Sequence, residues 1–349
     1  MHERALRTVL LIQAIEETDQ DGDVLPMADR VQATRAIEED SPLGDSSSPV
    51  DAQVQAPLSS ADEWFLTRRA EALLANLRTR SPGVDHVLAV AGGATWLDRA
   101  MLAVAFAVGV VLATLDGDRR INILGLPLIG LIAWNVFAYV ALISATLHVH
   151  PERVRPRRWR GSLYARWVRA RIEALVGHST RFNAPLAPGL RRFAADWWDI
   201  AQPLFMVRAR RLLHFAAACV ALGLIAGFCV RGFVLRYPAG WHSTFLGPES
   251  AHASLIALYG PASALSGIAI PSAQEIAALR WTSPTGGAEA GEWVRLMAWT
   301  AMLYIVVPRL LAALASTLEL WRLSRRLTIP AALCGYMGVL LVRAHAETT

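Results

Sequence analysis

The residue types best suited to chemistry lie in one short stretch, RYPAGWHSTFLGPESAHA (236–253), after a long apolar run. With the arginine before it, the stretch offers six candidate binding residues: Arg231, Arg236, Trp241, His242, Glu249 and His252. The last two have the i, i+3 spacing of di-iron bundles, but that site needs a second such motif and two further carboxylates. Neighbouring side chains of an extended segment point to opposite sides, which disfavours hydrolysis by His242 with Ser243. We therefore predict no metal site here.

Two interpretations of this stretch remain open, the polar cap of an apolar helix and a binding surface for an unidentified ligand. As a cap, Pro238-Ala239-Gly240 forms a turn, and Trp241 anchors the membrane interface. A helix then begins near Ala251 or two to three residues earlier, with side chains suited to capping it: Thr244, Glu249 and Ser250.

No other motif in the chain indicates catalysis or a cofactor. The pair His148 and His150 lacks a third and fourth metal ligand nearby. Cys219 and Cys229 lie ten residues apart in one apolar run, about 15 Å along a helix, which is too far for a disulfide. The glycine-rich phosphate-binding loops and the hydrolase signatures are absent from the sequence. We predict no cofactor.

The elements that position these residues are predicted to be membrane helices. The chain is 54% apolar and 18% charged, against about 45–50% and about 25% in soluble domains. Since a bilayer core needs about 20 mostly apolar residues in a helix, four runs qualify as spans: 96–115, 121–149, 212–230 and 293–318. A fifth apolar run, 251–271, carries Gly, Pro and Ser, and we interpret it as an interfacial or re-entrant helix pair, with a further span as the alternative.

Arginine asymmetry orients the spans. Segment 150–211 holds 14 Arg against 4 acids, whereas segment 232–292 holds 2 Arg against 4 acids. Because cytoplasmic loops carry the excess of basic residues, the first segment is predicted to be cytoplasmic and the second external. Both termini then lie in the cytoplasm. The prediction is a mainly α, multi-pass membrane protein.

This topology divides the chain into seven parts. They are N-terminal cytoplasmic helices (1–97, with a disordered linker at 39–61), spans one and two (98–149, external hairpin 116–120), a basic amphipathic cytoplasmic region (150–211), span three (212–231), an external loop (232–292, helix 251–270), span four (293–317) and a cytoplasmic tail (318–349). In the first part, the sequence predicts a helix from Asp62 to Ser81 with one apolar face: Phe65, Leu66, Leu73, Leu74 and Leu77.

The basic region interleaves arginine with aromatic residues. Its docking candidates are Arg157, Arg158, Trp159, Arg160, Trp167, Arg169 and Arg171. A helix of this kind lies on the inner leaflet, with Trp at headgroup depth and Arg on anionic lipid phosphates. A docking surface for a cytoplasmic partner is the alternative. Since the basic excess is concentrated beside the membrane, nucleic-acid binding is not expected.

Two features lie inside the spans. Small residues recur every four positions in span three (Cys219, Gly223, Gly227) and in span one (Ala105, Gly109, Ala113), which favours close helix packing within the monomer or in a homo-oligomer. Arg309 lies within span four, where a charge is costly. It either snorkels to the cytoplasmic face or faces a polar interior near Asn135.

Five blocks of the sequence resemble the uncharacterised bacterial membrane family catalogued as domain of unknown function 2868. They are ALRTVLLIQAIEETD with ADRVQAT, GDRRINILGLPLIGLIAWN, LGLIAGFCVRGFVLRYPAGWHSTFL, GPASALSGIAIP and VVPRLLAAL. The resemblance covers most of residues 5–326, and the tail after Thr328 is less typical. It implies a bacterial inner-membrane protein, no assigned catalytic residue, and a neighbouring gene for a cytoplasmic GTPase-like protein.

Three functions follow, in order of preference. The first is a non-enzymatic membrane anchor or regulator of a cytoplasmic partner, such as a GTPase-like protein. The second is an oligomeric channel or transporter that uses the small-residue stripe and Arg309. The third is a membrane enzyme with its site in the external loop.

Overall fold

The computed structural model describes residues 1–39, 58–93, 96–113, 120–147, 170, 185–282, 287–325, 327 and 329–346. The predicted basic docking residues (Arg157, Arg158, Trp159, Arg160, Trp167, Arg169 and Arg171) lie outside these residues, as do His148, His150 and most of the linker and hairpin. The described residues are mainly helical, at 79%, as the sequence predicts.

Within the described residues, helices alternate with three very short strands. In chain order the elements are α1 (Glu3–Thr18), α2 (Met27–Glu39), α3 (Ser60–Arg80), α4 (Val84–Ala91), α5 (Trp96–Leu112), β1 (Ile121–Asn122), α6 (Leu126–Leu147), α7 (Leu186–Val234), β2 (Pro238–Gly240), α8 (Pro248–Ser266), α9 (Ala273–Ala278), β3 (Ala288–Glu289), α10 (Gly291–Ala301), a π-helical turn (Met302–Val306), α11 (Val307–Arg325) and α12 (Ala331–Ala346).

The chain forms two compact units, each assembled from separated segments. The first unit contains residues 1–95, 159–209 and 317–349, and the second contains residues 96–158 and 210–316. Helices α7 and α11 contribute residues to both units. Each unit is described below by itself.

The first unit is a helical domain with one apolar core. Helix α3 begins at a capping box, in which Ser59 and Asp62 exchange side-chain-to-backbone hydrogen bonds, and it ends at Ser81. Its predicted apolar face is confirmed, because all five predicted side chains are buried. They pack with large side chains from the other segments of the unit: Leu6, Leu11, Phe193, Trp197, Leu333 and Met337.

The second unit combines apolar helices with a small sheet. Strand β1 pairs parallel to β2, and β2 pairs antiparallel to β3. Helices α8 and α10 pack together beside this sheet, around buried Trp241, Tyr259 and Trp293. Helix α6 is 22 residues long and carries no charged side chain.

Among the described residues, two helical stretches are long and apolar enough to cross a membrane, Leu186–Val234 and Gly291–Arg325. The number of candidate spans rises to three if α4 and α5, which are bent by 49° relative to each other, form one span. Only 33% and 28% of the most apolar part of the two long stretches is buried. Most of this apolar surface therefore has no protein neighbour in the described chain, which is the pattern of a membrane-associated protein.

Candidate functional site

Arg309 lies in a polar cluster between helices of the second unit. Its Nε donates to Oδ1 of Asn135 at 2.8 Å, and its Nη1 lies 3.2 Å from Nδ1 of His214. Since a guanidinium only donates, Nδ1 of His214 accepts this hydrogen bond. The Arg309 Cζ also lies 5.2 Å from the ring centroid of Tyr139, within cation–π range. Of the two alternatives for Arg309, the structure therefore favours the polar interior, with Asn135 as partner.

The helix backbone is irregular immediately before Arg309. Pro308 has no N–H, so the carbonyl of Tyr304 four residues earlier loses its α-helical donor. The chain adopts a π-helical turn here, in which Val307 N–H bonds to the Met302 carbonyl. The hydroxyl of Tyr139 donates to the Tyr304 carbonyl at 3.2 Å. Tyr139 thus both satisfies the freed carbonyl and lies against the guanidinium.

The small-residue stripe brings α5 and α7 into backbone contact. A Cβ added at Gly223 would lie 2.1 Å from the Phe106 carbonyl oxygen, and one at Gly109 would lie 2.1 Å from that of Val220. Arg231, at the end of this stripe, donates to the Ala113 carbonyl at 2.5 Å. The stripe therefore serves packing within the chain, which is one of the two uses that the spacing predicts.

The stretch 236–253 is built around Trp241, which is fully buried. Its indole Nε1 donates to the Ile276 carbonyl at 2.7 Å, and the Arg280 guanidinium lies 5.3 Å from its ring centroid. Arg236 is exposed and forms an ion pair with Glu289. His242 and Glu249 are exposed, and His252 is half-buried.

Three local predictions for this stretch are wrong. Trp241 does not anchor the membrane interface, because its side chain is fully buried in the core of the second unit. Pro238–Gly240 is the central strand β2 rather than a turn, and its glycine is required because a Cβ at Gly240 would lie 2.6 Å from the Leu279 carbonyl oxygen. Helix α8 begins at Pro248, inside the predicted margin, but Gly247 is its N-cap and no side chain caps it. The hydroxyl of Ser243 instead accepts the backbone N–H groups of Phe245 and Leu246, at 3.2 and 3.1 Å.

These positions do not form a metal site. In the described part of the chain, no group of three or more His, Cys, Asp or Glu side chains lies close enough together to hold a metal ion. Ser243 is engaged in its turn and His242 makes no hydrogen bond with it. The geometry therefore brings together no catalytic set in this stretch.

The sequence analysis missed a buried polar network in the first unit. Arg69 donates to Glu16 at 2.7 Å, to the Tyr336 hydroxyl at 2.9 Å and to Thr34 Oγ1 at 2.8 Å, and the Tyr336 hydroxyl donates to Glu16. Burial, with the Glu16 carboxylate beside it, raises the pKa of Tyr336. Burial alone would lower the pKa of Arg69, but Tyr336 and Glu16 raise it above its usual value. This network joins α12, near the C-terminus, to α1 and α3.

Comparison with known proteins adds one relationship. The profile of a family described as protein of unknown function (DUF2868) matches residues 161–344, more than half of the chain. The chain belongs to this family. No curated protein and no solved structure matches it.

The DUF2868 match contains the stretch 236–253, Arg309 and His214. It also extends to residue 344, so α12 and Tyr336 are part of the matched region even though the tail is less typical in the sequence analysis. Asn135, Tyr139 and Arg69 lie before the matched residues. The family description assigns no activity, so the function must be argued from the fold.

Proposed function

We propose that this chain is a four-span protein of the bacterial inner membrane whose first unit is a cytoplasmic docking domain. One observation carries the proposal. Arginine asymmetry assigns residues 1–97, 150–211 and 318–349 to the cytoplasm, and chain contacts independently group residues 1–95, 159–209 and 317–349 into one compact unit. A folded unit lies on one side of a membrane, so the two boundary sets support each other.

The number of spans follows from this grouping. The chain leaves the first unit near residue 96, returns by residue 159, leaves again near residue 210 and returns by residue 317. Each excursion must cross the membrane an even number of times. The first contains α5 and α6, and the second contains the apolar part of α7 and the stretch from α10 into α11. This supports four crossings, with both termini in the cytoplasm.

The surface of the second unit fits a lipid environment. In the described part of the chain, 29 large apolar side chains are exposed, and 24 of them belong to the second unit. Those on α6 include Trp134 and Phe137, each 64% exposed. In water such a surface is an aggregation liability, whereas in a bilayer it is solvated by acyl chains.

The first unit has the build of an interaction domain. The sequence contains no phosphate-binding loop, and the described residues form no metal cluster. Its buried charged side chains form ion pairs with one another, as Arg69 does with Glu16 and Arg30 with Asp19, and these pairs stabilise the domain. A cytoplasmic protein partner is therefore the function that this unit supports best, and the family resemblance favours a GTPase-like protein.

Impermeant thiol labelling tests the topology. With the three native cysteines replaced by serine, Thr244→Cys places a thiol in the exposed loop of the second unit, and Thr79→Cys places one at the exposed end of α3. An impermeant maleimide added to intact spheroplasts should label the first variant only, and lysis should expose the second. Labelling of both thiols in intact spheroplasts would overturn the four-span arrangement.

Affinity purification tests the docking function. The tagged full chain is purified from native membranes in mild detergent, and co-purifying soluble proteins are identified by mass spectrometry. A specific partner should be lost with Arg69→Leu, which removes the central pair of the first unit, and kept with Arg236→Gln on the second unit. No enrichment over an unrelated four-span protein would refute the docking proposal.

A channel or transporter is the second candidate, favoured by the polar cluster around Arg309 and the π-helical turn beside it. Intramembrane charges and π-helical turns both occur frequently at functional sites. Vesicles reconstituted with the wild-type protein should then pass an ion or solute, and Arg309→Gln should reduce that flux at least tenfold. Wild-type vesicles as tight as empty ones would exclude this function.

A further inference from the structure

Two arginines of the first unit contact the Glu3 carboxylate, and a third lies beside them on α1. Glu3 accepts hydrogen bonds from Arg208 Nη2 at 2.7 and 2.8 Å, and its Oε1 lies 3.5 Å from Arg7 Nη1. Arg4 is exposed on the next position of α1, and within the described residues its guanidinium has no ion-pair partner. The cluster therefore carries an excess of two positive charges.

Two hydrogen-bond donors of this cluster are buried without an acceptor. Nε of Arg7 and Nη1 of Arg208 are both shielded from solvent, and neither has a partner among the described residues. A buried guanidinium donor without an acceptor is destabilising, and a bound ion or water is one explanation for such a group in a folded protein.

Adjacent glycines make room for the two guanidinium groups. A Cβ at Gly92 would lie 2.4 Å from Arg7 Nη1, and one at Gly93 would lie 3.0 Å from Arg208 Nη1. Gly93 also has a φ of +70°, a conformation that other residues rarely adopt. Gly92 and Gly93 therefore lie in close contact with the two guanidinium groups.

Arg7 lines a groove of about 640 Å³ between α1, α3 and α4, whose other basic residues are Arg4 and Arg78. A volume of this size is in the range of small-molecule sites, about 300–1,000 Å³. The acids of the groove already have partners, since Asp85 pairs with Arg78 at 2.8 Å and Glu71 lies 3.8 Å from Arg68. Among the described residues, Arg4 has no acidic partner and Arg7 has only its 3.5 Å contact with Glu3.

The electrostatics of Arg7 agree with this geometry. Burial lowers the pKa of Arg7, and the nearby Arg208 and Arg4 guanidinium groups lower it further, against the opposing effect of Glu3. Burial and the two neighbouring guanidinium groups therefore disfavour the Arg7 cation. A bound anion offsets this repulsion.

We propose that this groove binds a phosphate group through Arg4 and Arg7, while Arg208 pairs with Glu3 beside Arg7. A phosphate monoester carries about −1.5 to −2 charges at pH 7 and three acceptor oxygens, which matches the charge excess and the free donors. The phosphate belongs either to a soluble metabolite or to the headgroup of an anionic lipid. The site lies within the first unit and does not depend on a protein partner.

Isothermal titration calorimetry on the full chain in non-ionic detergent tests the proposal. Sodium pyrophosphate, titrated at constant ionic strength, should bind at one site per chain. Arg4→Gln and Arg7→Gln should each weaken binding at least fivefold. Arg191→Gln, at an exposed position outside the groove, should leave it unchanged. Hydrogen exchange of α1 confirms that each variant is folded, and Arg4 is exposed, so its replacement leaves the core intact.

Short-chain lipids separate the two sources of the phosphate. Dioctanoyl phosphatidic acid that binds more tightly than pyrophosphate, and more tightly than dioctanoyl phosphatidylcholine, identifies a lipid headgroup. Pyrophosphate that binds as tightly as phosphatidic acid, or more tightly, identifies a soluble ligand. Absence of binding by both anionic probes overturns the proposal, as does equal binding to wild type, Arg4→Gln and folded Arg7→Gln.

Discussion

The two units of this chain differ in the kind of polar side chain that they bury. In the described residues, the buried charged side chains all belong to the first unit: Glu3, Asp19, Arg30 and Arg69. The buried polar side chains of the second unit are hydroxyl, amide and imidazole groups: Asn135, His214, Thr300 and Ser316. The arginines differ in the same way. Arg30 and Arg69 form ion pairs with carboxylates. Arg309 instead contacts the Asn135 amide, the His214 imidazole and the aromatic ring of Tyr139.

This difference agrees with the proposed topology, in which the first unit lies in water and the second in the bilayer. In a domain surrounded by water, a buried carboxylate and guanidinium compensate each other, and hydrogen bonds satisfy the remaining donors. A helix that crosses a bilayer carries few acids, because each adds about 2.5–3.5 kcal/mol to insertion. An arginine there is held by neutral acceptors and by aromatic rings.

The largest expected effect is in the first unit, with Arg69→Leu. This change leaves Glu16 buried without its cation, which should destabilise the unit by about 3–5 kcal/mol. Hydrogen exchange of the full chain in detergent should show lost protection in α1, α3 and α12. Protection in α6 and in the apolar part of α7 should be retained.

Arg309→Leu is the matched change in the second unit. It removes a cation that has no carboxylate partner among the described residues, so the loss of two hydrogen bonds is offset by a lower insertion cost. We expect a stability within about 1 kcal/mol of wild type. Equal damage from both replacements would show that the two units do not differ in the way their buried charges suggest.

The second prediction concerns the seam between α5 and α7. Gly223→Ala puts a methyl group onto the Phe106 carbonyl, where neither backbone can yield, and should cost about 3 kcal/mol or more. Gly232→Ala, on the same helix with nothing within 4 Å of its added Cβ, should be neutral or stabilising. Thermal unfolding in detergent, followed by size-exclusion chromatography, compares the two. A Gly223→Ala protein as stable as Gly232→Ala would contradict the close helix approach.

Much of the fold is predictable from residue periodicity and charge. The apolar face of α3 and the small-residue stripes of α5 and α7 follow from spacing along single helices, whereas the sequence leaves the contact of Arg309 with Asn135 as one of two alternatives. The compact first unit has nearly the boundaries that arginine asymmetry predicts for the cytoplasmic segments. These features are local, or they follow from counting charges, and neither requires knowledge of the tertiary packing.

The missed features depend on contacts between distant segments. The Tyr336 hydroxyl donates a hydrogen bond to Glu16, which lies 320 positions earlier in the chain. No periodic pattern in the sequence predicts this pair. Strand β2 has three residues and is defined by partners in two other segments, so Pro238-Ala239-Gly240 resembles a turn when read alone. One signal was present in the sequence: Arg69 lies four residues after Phe65 and four before Leu73, on the buried face of α3, which indicates a buried partner.

The third prediction tests the π-helical turn. Tyr139→Phe leaves the Tyr304 carbonyl without a donor and should cost about 1–3 kcal/mol. Pro308→Ala restores a backbone N–H that can bond to that carbonyl, so the double variant should be more stable than additivity predicts. A double-mutant cycle of thermal stabilities in detergent measures this coupling. Strict additivity would mean that Tyr139 does not compensate for the missing proline donor.

The smallest expected effect is at the exposed ion pair of the second unit. The side chains of Arg236 and Glu289 are 90% and 78% exposed, so water screens their attraction. Arg236→Gln should therefore change stability by less than about 0.5 kcal/mol, whereas removal of a buried arginine from the first unit is severe. Thermal unfolding at low and at high salt checks this, since a pair that matters would weaken as salt rises. A large, salt-dependent loss would mean that Arg236 is shielded from water in the membrane, for example by lipid headgroups.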